Sequence, residues 1–391
     1  MTRFSSPGLE ARPRCAGAAT APYCHPLEVD VAGPSITSAT RPAWIVGARY
    51  DLPLIVLTPL LALIGSAVCW FAVEQETVHG SLWLRVLGEV AVGIFLTALI
   101  QGHLVLVLVR AYLNPKVRQA HWRRFIWAPI VLVGIQVLSP WMCVALSVLA
   151  VYWDVYHSGL QTFGFGRIYD ARAGNDPLQG RSLDKVFNLI MYVAPILAGA
   201  NLIEHVTTWR QFGLVGATGL AGIPELVVQA RPMLVRVGVS VTLLGAIIYA
   251  AGLVRLRRQG YRMPLPKALL YCNTSVVAVL AWGFLDPLYA FFAMNTFHAV
   301  QYYAVVWAME SKGLMKRLAW QGRRNARALL LFLVVGATLA YGYVLPFVAE
   351  LSGADPSARN LGYWSLVIMN AVSIMHFWFD GFIWSVRKKA V

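Results

Sequence analysis

Charged residues are scarce in this chain of 391 residues: Asp, Glu, Lys and Arg make up only 13% of it, whereas hydrophobic residues make up 58%. Soluble domains carry about 25% charged and about 45–50% apolar residues. The deficit argues against a soluble fold and indicates that lipid surrounds most of the chain. The net charge of +15 is also typical of nucleic-acid binders. Here the cations lie between long apolar runs, so no nucleic-acid partner is predicted.

The chain also has few cysteines and no apolar segment near its start. None of its five cysteines forms a CxxC pair, and three of them lie inside apolar runs, where Cys behaves as a small hydrophobe. The sequence therefore predicts no disulfide framework. Residues 1–43 are rich in Pro, Ala, Ser and Thr and lack the apolar core of a signal peptide. We expect them to form a disordered cytoplasmic tail.

Ten apolar runs follow this tail, and most approach the roughly 20 residues that a helix needs to cross a bilayer. No loop between them is long enough for a soluble catalytic domain. We therefore expect an all-α, polytopic integral membrane bundle of about ten transmembrane helices, with residues 44–391 as one domain. The runs cover residues 52–73, 86–109, 125–139, 142–165, 184–205, 232–254, 267–285, 287–309, 328–349 and 362–386.

The third run is short and ends at Ser139-Pro140, so residues 125–165 form either two spans or one helix kinked at the proline. The cations distinguish these alternatives, because cytoplasmic loops are enriched in Lys and Arg. With ten spans and a cytoplasmic N-terminus, 28 of the 33 Lys and Arg residues fall on the cytoplasmic side. Merging the two runs would place the cationic segment 312–327 outside. The sequence therefore predicts ten spans, a cell-membrane location and both termini in the cytoplasm.

Four of the eight histidines lie within apolar runs: His103, His157, His298 and His376. Their four spans are predicted to cross in the same direction, so depth can be counted from the first cation at each inner end. With a rise of about 1.5 Å per residue, the depths are roughly 10, 15, 21 and 16 Å. Ionisable groups are costly inside a bilayer and are usually functional there. Four separate helices are thus predicted to bring these imidazoles together at one level.

Polar side chains accompany three of these histidines at helical spacing, which places them on the same helix face. They are Asp154 and Gln161 beside His157, Asn295, Gln301 and Tyr302 beside His298, and Asp380 beside His376. Imidazole is a common ligand of iron, copper and zinc, and a ligating imidazole usually hydrogen-bonds a further acceptor. The alternative interpretation is that such residues only hydrogen-bond between packed helices.

This pattern predicts a metal centre with the four histidines as ligands. Iron is the expected metal, with copper or zinc as alternatives, and no other cofactor is predicted. The predicted catalytic groups are Asp154, Asp380 and Tyr302, and the predicted supporting groups around the ligands are Gln161, Asn295 and Gln301.

The function expected from this centre is a metal-dependent, non-haem iron oxidoreductase or oxygenase acting on a lipophilic substrate from the bilayer, with a redox partner left open. The chain lacks the HxxxH and HxxHH boxes of membrane desaturases and hydroxylases, which argues against that di-iron class. Two alternatives remain: a proton-coupled transporter that uses the His/Asp cluster, and a haem-binding electron carrier. The common depth of the histidines argues against two haems stacked across the membrane.

Overall fold

Every regular element in the described part of the chain is helical. The computed structural model describes residues 43–79, 83, 86, 97–176, 178–199, 202–353, 355 and 358–384. The predicted all-α class is confirmed, since no strand occurs in these ranges. The predicted disordered tail, residues 1–43, lies outside the described residues except for its last position. The assignment of residues 44–391 to a single domain stays a prediction.

Each of the ten apolar runs overlaps a helix of 17 or more residues in the described ranges. The helices are α1 (Thr58–His79), α2 (Thr97–Leu113), α3 (Pro115–Leu138), α4 (Pro140–Arg172), α5 (Arg181–Ala198), α6 (Ile223–Arg258), α7 (Leu265–Phe284), α8 (Pro287–Arg317), α9 (Ala326–Ser352) and α10 (Leu361–Ile383).

Among the described residues, five helices are long and apolar enough to cross a membrane: α4, α7, α9, α10 and the segment Thr218–Arg258 that contains α6. The number rises to seven if each of two bent pairs counts as one span. One pair is the segment Ala48–Val56 with the first part of α1, bent by 44°, and the other is α2 with α3, bent by 106°. The fold is therefore that of a helical membrane protein with five to seven candidate spans. This is fewer than the ten apolar runs.

Ser139 separates α3 from α4. Its backbone is extended, with φ −143° and ψ 110°, and its hydroxyl oxygen accepts a hydrogen bond from the Met142 N–H at 3.4 Å. Pro140 occupies the first position of α4, where a missing N–H is tolerated. The two helices pack against each other. Residues 125–165 thus form two helices and not one kinked helix.

Two segments expected to be loops are largely helical. The segment 110–124 contains the end of α2 and the start of α3, with only Asn114 between them. The Asn114 side chain caps α3, because its oxygen accepts hydrogen bonds from the Lys116 N–H at 3.2 Å and the Val117 N–H at 3.4 Å. In the predicted loop 206–231, α6 already begins at Ile223. Hydropathy locates the apolar part of a helix, so it misses helix ends that are polar.

The backbones of α2 and α9 approach each other closely at two glycines. A Cβ atom added to Gly342 would lie 2.1 Å from the Ala98 carbonyl oxygen, and one added to Gly102 would lie 2.6 Å from the Thr338 carbonyl oxygen. Small residues allow such close packing between membrane helices. The contact fixes α2 against the bundle and thereby positions His103.

The four histidine-bearing helices α2, α4, α8 and α10 meet in the interior. Helix α10 packs against α2, α4 and α9, and α8 packs against α2 and contacts α4. By contrast, α6 and α9 expose large apolar side chains such as Ile247, Leu243 and Phe332. Large exposed apolar surfaces mark contact with a partner or a membrane. The polar residues are therefore enclosed, and apolar residues cover the outside.

Candidate metal centre

The structure brings His103, His157, His298 and His376 together. The ring of His103 lies 5.0 Å from those of His298 and His376, measured between ring centroids, and the ring of His157 lies 5.0 Å from His298 and 4.8 Å from His376. The rings of His298 and His376 are 6.5 Å apart. All four side chains are buried. Four helices far apart in sequence thus contribute one imidazole each to a four-sided cluster.

Backbone carbonyls set the tautomer of two of these imidazoles. The Nδ1 of His376 lies 3.0 Å from the Leu104 carbonyl oxygen, and the Nδ1 of His103 contacts the Ile100 carbonyl oxygen. Because a carbonyl oxygen can only accept a hydrogen bond, each Nδ1 donates its proton there. In the neutral rings the lone pair then lies on Nε2. In His376 this Nε2 lies 3.1 Å from the Nε2 of His157.

Three ring nitrogens of this cluster have no hydrogen-bond partner among the described residues: Nε2 of His103 and both nitrogens of His298. His298 is fully buried, at 0% exposure. A buried polar atom without a partner costs roughly 1–3 kcal/mol. A neutral imidazole carries a lone pair on one nitrogen and an N–H on the other, so Nε2 of His103 and one nitrogen of His298 offer lone pairs that a metal ion shared with His376 would accept.

Two groups of side chains have ligand atoms close enough to share a metal ion, with separations of up to 4.8 Å: His103, His298 and His376, and His157, His376 and Asp380. A metal–nitrogen bond is about 2.0–2.1 Å, so two ligands of one ion lie about 3–3.5 Å apart. The 3.1 Å between the Nε2 atoms of His157 and His376 falls in this range.

Asp380 joins the imidazole cluster to a tyrosine and a tryptophan. Its Oδ2 lies 3.6 Å from the Nε2 of His157 and 3.8 Å from the Nε2 of His376. Its Oδ1 accepts hydrogen bonds from the Tyr302 hydroxyl at 2.8 Å and from the Trp384 indole N–H at 3.0 Å. One carboxylate oxygen is therefore fixed, and the other faces the histidines.

The predicted supporting amides do not contact the imidazole nitrogens, which corrects one detail of the sequence analysis. Gln161 donates to the backbone carbonyl of His298 at 3.0 Å and to the side chain of Gln301 at 3.2 Å. Gln301 donates to the Ile55 carbonyl at 2.8 Å, and Asn295 donates to a carbonyl of its own helix. These amides satisfy backbone carbonyls, whereas backbone carbonyls orient the rings. A shared helix face does not determine which atoms meet.

Asp154 is the predicted catalytic residue that the structure leaves apart. It lies one helical turn before His157 in α4, and its Oδ1 has no hydrogen-bond partner among the described residues. No described contact joins Asp154 to any of the four histidines, whereas Asp380 contacts two of them. Asp380 is thus the carboxylate that the geometry associates with the cluster.

Two neighbours of Asp380 were missed by the sequence analysis. Trp384 follows Asp380 by four residues, a spacing that places both on one helix face. The guanidinium of Arg110 lies 3.9 Å from the centroid of the Trp384 ring, and one of its nitrogens lies 2.7 Å from an oxygen of Glu310. The i,i+4 spacing could have identified Trp384. The pairing of Arg110 with Glu310 joins residues 200 positions apart and has no local signal.

A second polar cluster, also missed by the sequence analysis, lies where α4 ends and where α5 and α7 begin. Asp170 and Asp184 each bind both Arg167 and Lys267, with four nitrogen–oxygen distances between 2.6 and 2.8 Å. Tyr261, in the turn after α6, donates to Asp170 at 2.7 Å. Burial and then the hydrogen bond to this carboxylate raise the pKa of Tyr261 far above its usual value. Because two cations balance two carboxylates, the cluster has no net charge, and its ion pairs link the helices.

A cavity of about 570 Å³ adjoins the candidate metal centre. His157, Tyr302 and Asp380 contribute to its wall. The rest of the wall comes mostly from α4 and α10, with further residues from α5 and α8. It is mainly apolar and aromatic and includes Trp153, Tyr156, Leu160, Phe163, Phe377, Trp378, Phe382 and Trp384. Its volume is within the range of small-molecule pockets. Two of the clustered polar groups, His157 and Asp380, therefore border a mainly apolar space.

No family model, no curated protein and no solved structure matches this chain.

Proposed function

We propose that this protein is a membrane-embedded, metal-dependent oxidoreductase that uses non-haem iron to oxidise a lipophilic substrate with O₂. The observation that carries the proposal is the cluster of four buried imidazoles, in which His298 has two nitrogens without a partner among the described residues. The adjoining aromatic cavity supports an apolar substrate. A packing role alone would leave these nitrogens uncompensated.

Iron is favoured over copper and zinc by the group His157, His376 and Asp380. A carboxylate among imidazole ligands is typical of non-haem iron sites, and Asp380 would add one to the four histidines. Of this group, His157 and Asp380 also line the cavity. The metal would supply O₂ activation next to the bound substrate.

The protein side chains supply orientation, proton transfer and protection from water. Tyr302 donates its hydroxyl hydrogen bond to Asp380 and lines the cavity, so it would hold this carboxylate towards the two imidazoles and is placed to pass a proton between the carboxylate and the cavity. The aromatic wall excludes water. If only one oxygen atom enters the product, the other leaves as water, and a redox partner must deliver two electrons.

The proposed membrane arrangement has ten spans in the cell membrane, with both termini in the cytoplasm. The positive-inside distribution of Lys and Arg supports it. Helix α8 is not among the candidate spans. Many of its side chains, His298 and Tyr302 among them, are buried against other helices. A span surrounded by protein needs less apolar surface than one that faces lipid.

The geometry argues against the haem alternative. A haem places its porphyrin plane between axial ligands, whereas each imidazole here has two other imidazoles about 5 Å away between centroids. A proton-coupled transporter remains the second candidate, because His157 and Asp380 reach the cavity. Metal-independent proton uptake by the reconstituted protein would favour it.

The test is oxygen uptake by the Fe(II)-loaded full chain in nanodiscs with ascorbate as the electron donor, with and without an extract of native membrane lipids. Gly164 lines the cavity, and an added Cβ there meets only open space. We expect extract-dependent uptake that falls about tenfold in Gly164→Leu, since the new side chain occupies substrate space.

The matched control is Gly134→Leu in α3, which also adds a side chain to open space but does not line the cavity. It should leave the uptake unchanged, and all three proteins should hold equal iron. The proposal would be overturned if oxygen uptake were the same with and without the lipid extract, or if it fell equally in both glycine variants.

A further inference from the structure

The cavity beside the metal centre has two chemically different polar parts. His157 and Asp380 form one polar part of its wall, and Arg181 and Lys185, at the start of α5, form another. Phe163 marks the distance between them, because it follows His157 by six residues in α4, or about 9 Å along the helix. The Arg181 guanidinium lies 5.5 Å from the centroid of the Phe163 ring.

Arg181 and Lys185 are not neutralised by the residues that the structure describes. Arg167, a third cation in the cavity wall, is paired with Asp170 at 2.6 Å and with Asp184 at 2.8 Å. Neither Arg181 nor Lys185 forms an ion pair within the described ranges. The two are four residues apart, so they lie on one helix face, where like charges repel. An anion between them would remove that repulsion.

Resting on the proposed function, we infer that the substrate is a single-chain amphiphile with an anionic oxyacid headgroup, such as a carboxylate or phosphate. Arg181 and Lys185 bind the headgroup, and the aromatic walls hold the apolar body. A cavity of about 570 Å³ suits one chain or ring system of small-ligand size. Charge-assisted hydrogen bonds to the two cations fix the position of the molecule along the cavity.

This arrangement determines which part of the substrate reacts. With the headgroup held beside Phe163, the atom that reaches His157 and Asp380 is about 9 Å away. Oxidation therefore occurs within the apolar body and not at the headgroup. A neutral molecule of the same length would enter the cavity without a fixed register.

The test uses the full chain in nanodiscs of zwitterionic lipid, with cis-parinaric acid and its methyl ester as fluorescent probes. Trp153, Trp378 and Trp384 line the cavity and serve as energy donors to a bound probe. We expect the acid to bind about tenfold more tightly than the ester, because only the acid carries a charge. The double variant Arg181→Gln/Lys185→Gln should bind both probes equally.

The matched control removes the same charge from an exposed part of the inner surface. The double variant Arg257→Gln/Arg258→Gln, at the end of α6, should keep the preference for the acid. Equal binding of the two probes to the unaltered protein would overturn the inference. So would an equal loss of preference in both double variants, which indicates that surface potential attracts the acid.

A membrane phospholipid is the other source of such a headgroup. Adding anionic phospholipid to the nanodiscs should leave acid binding unchanged, and competition by that lipid would overturn the proposal of a single-chain substrate. Metal content, measured on the same samples, separates this inference from the proposed function. An acid preference in a protein that binds no metal would refute the oxidoreductase and leave an anionic-amphiphile site.

Discussion

His298 is the residue whose surroundings depend most strongly on a metal. It is fully buried, and neither ring nitrogen has a hydrogen-bond partner among the described residues. Without a bound metal, His298 lowers the free energy of unfolding of the protein, and with a bound metal it raises it. These opposite contributions distinguish a metal ligand from a packing residue.

His298→Leu should therefore have opposite effects in the two forms of the protein. In chelator, the variant should be at least as stable as the unaltered chain, because it removes two unsatisfied nitrogens that cost roughly 1–3 kcal/mol each. With excess Fe(II) or Co(II), only the unaltered chain should gain stability by mass action. Thermal unfolding in detergent measures both effects. If metal did not change the melting temperature of the unaltered chain, the role of His298 as a metal ligand would be contradicted.

Tyr302 acts at the same scale, as a positioning residue for Asp380. Tyr302→Phe removes the 2.8 Å hydrogen bond to Oδ1, whereas the Trp384 indole keeps its own bond to that oxygen. We expect metal content to persist and oxygen uptake to fall by about 10–100-fold, as for other groups that support metal ligands. The pH profile of uptake should shift, because the carboxylate loses a donor. An unchanged profile with a reduced rate would indicate a packing role only.

At the scale of helices, the sequence predicted positions better than boundaries. Each apolar run overlaps a helix, but α3 begins at Pro115 and α6 at Ile223 inside segments expected to be loops. Residue counting along the helices also placed the four histidines at similar depths, and the structure brings their rings together. The contact of the Leu104 carbonyl with His376 was not predictable, since it depends on how α2 and α10 pack, whereas the Ile100 carbonyl lies in the same helix as His103.

The contact between α2 and α9 gives a test of helix placement. In Gly342→Val even the new Cβ would lie 2.1 Å from the Ala98 carbonyl oxygen. Helix α2 must therefore move, and His103 moves with it. We expect a loss of about 1–3 kcal/mol in stability, the usual cost of overpacking, together with weaker metal binding. Gly336→Val in the same helix meets only open space and should change neither. Equal effects of the two variants would contradict the role of this contact.

At the scale of the whole molecule, the sequence indicated a membrane bundle but not its cavity or its buried ion pairs. Arg167 and Lys267 share Asp170 and Asp184 across three helices, and Arg110 meets Glu310 across 200 residues. Such pairs have no local periodicity. The cavity arises from side chains of α4 and α10 that a linear pattern cannot place together.

The orientation of the molecule can be measured with cysteines on either side of α9, in a chain whose five natural cysteines are replaced. Arg323 and Glu350 are both exposed. Because of the distribution of positive charge, an impermeant maleimide should label Glu350→Cys in intact cells and Arg323→Cys only after permeabilisation. The reverse pattern would contradict cytoplasmic termini.

The central claim is that the four imidazoles bind a metal, and metal analysis of the purified full chain after Fe(II) reconstitution tests it most directly. We expect about one ion per chain, and less than about a tenth of that in His103→Ala, His157→Ala, His298→Ala and His376→Ala. His121→Ala, which changes a histidine of α3 outside the cluster, should keep the full amount. A protein without metal, or one in which all five variants hold the same amount, would contradict the account.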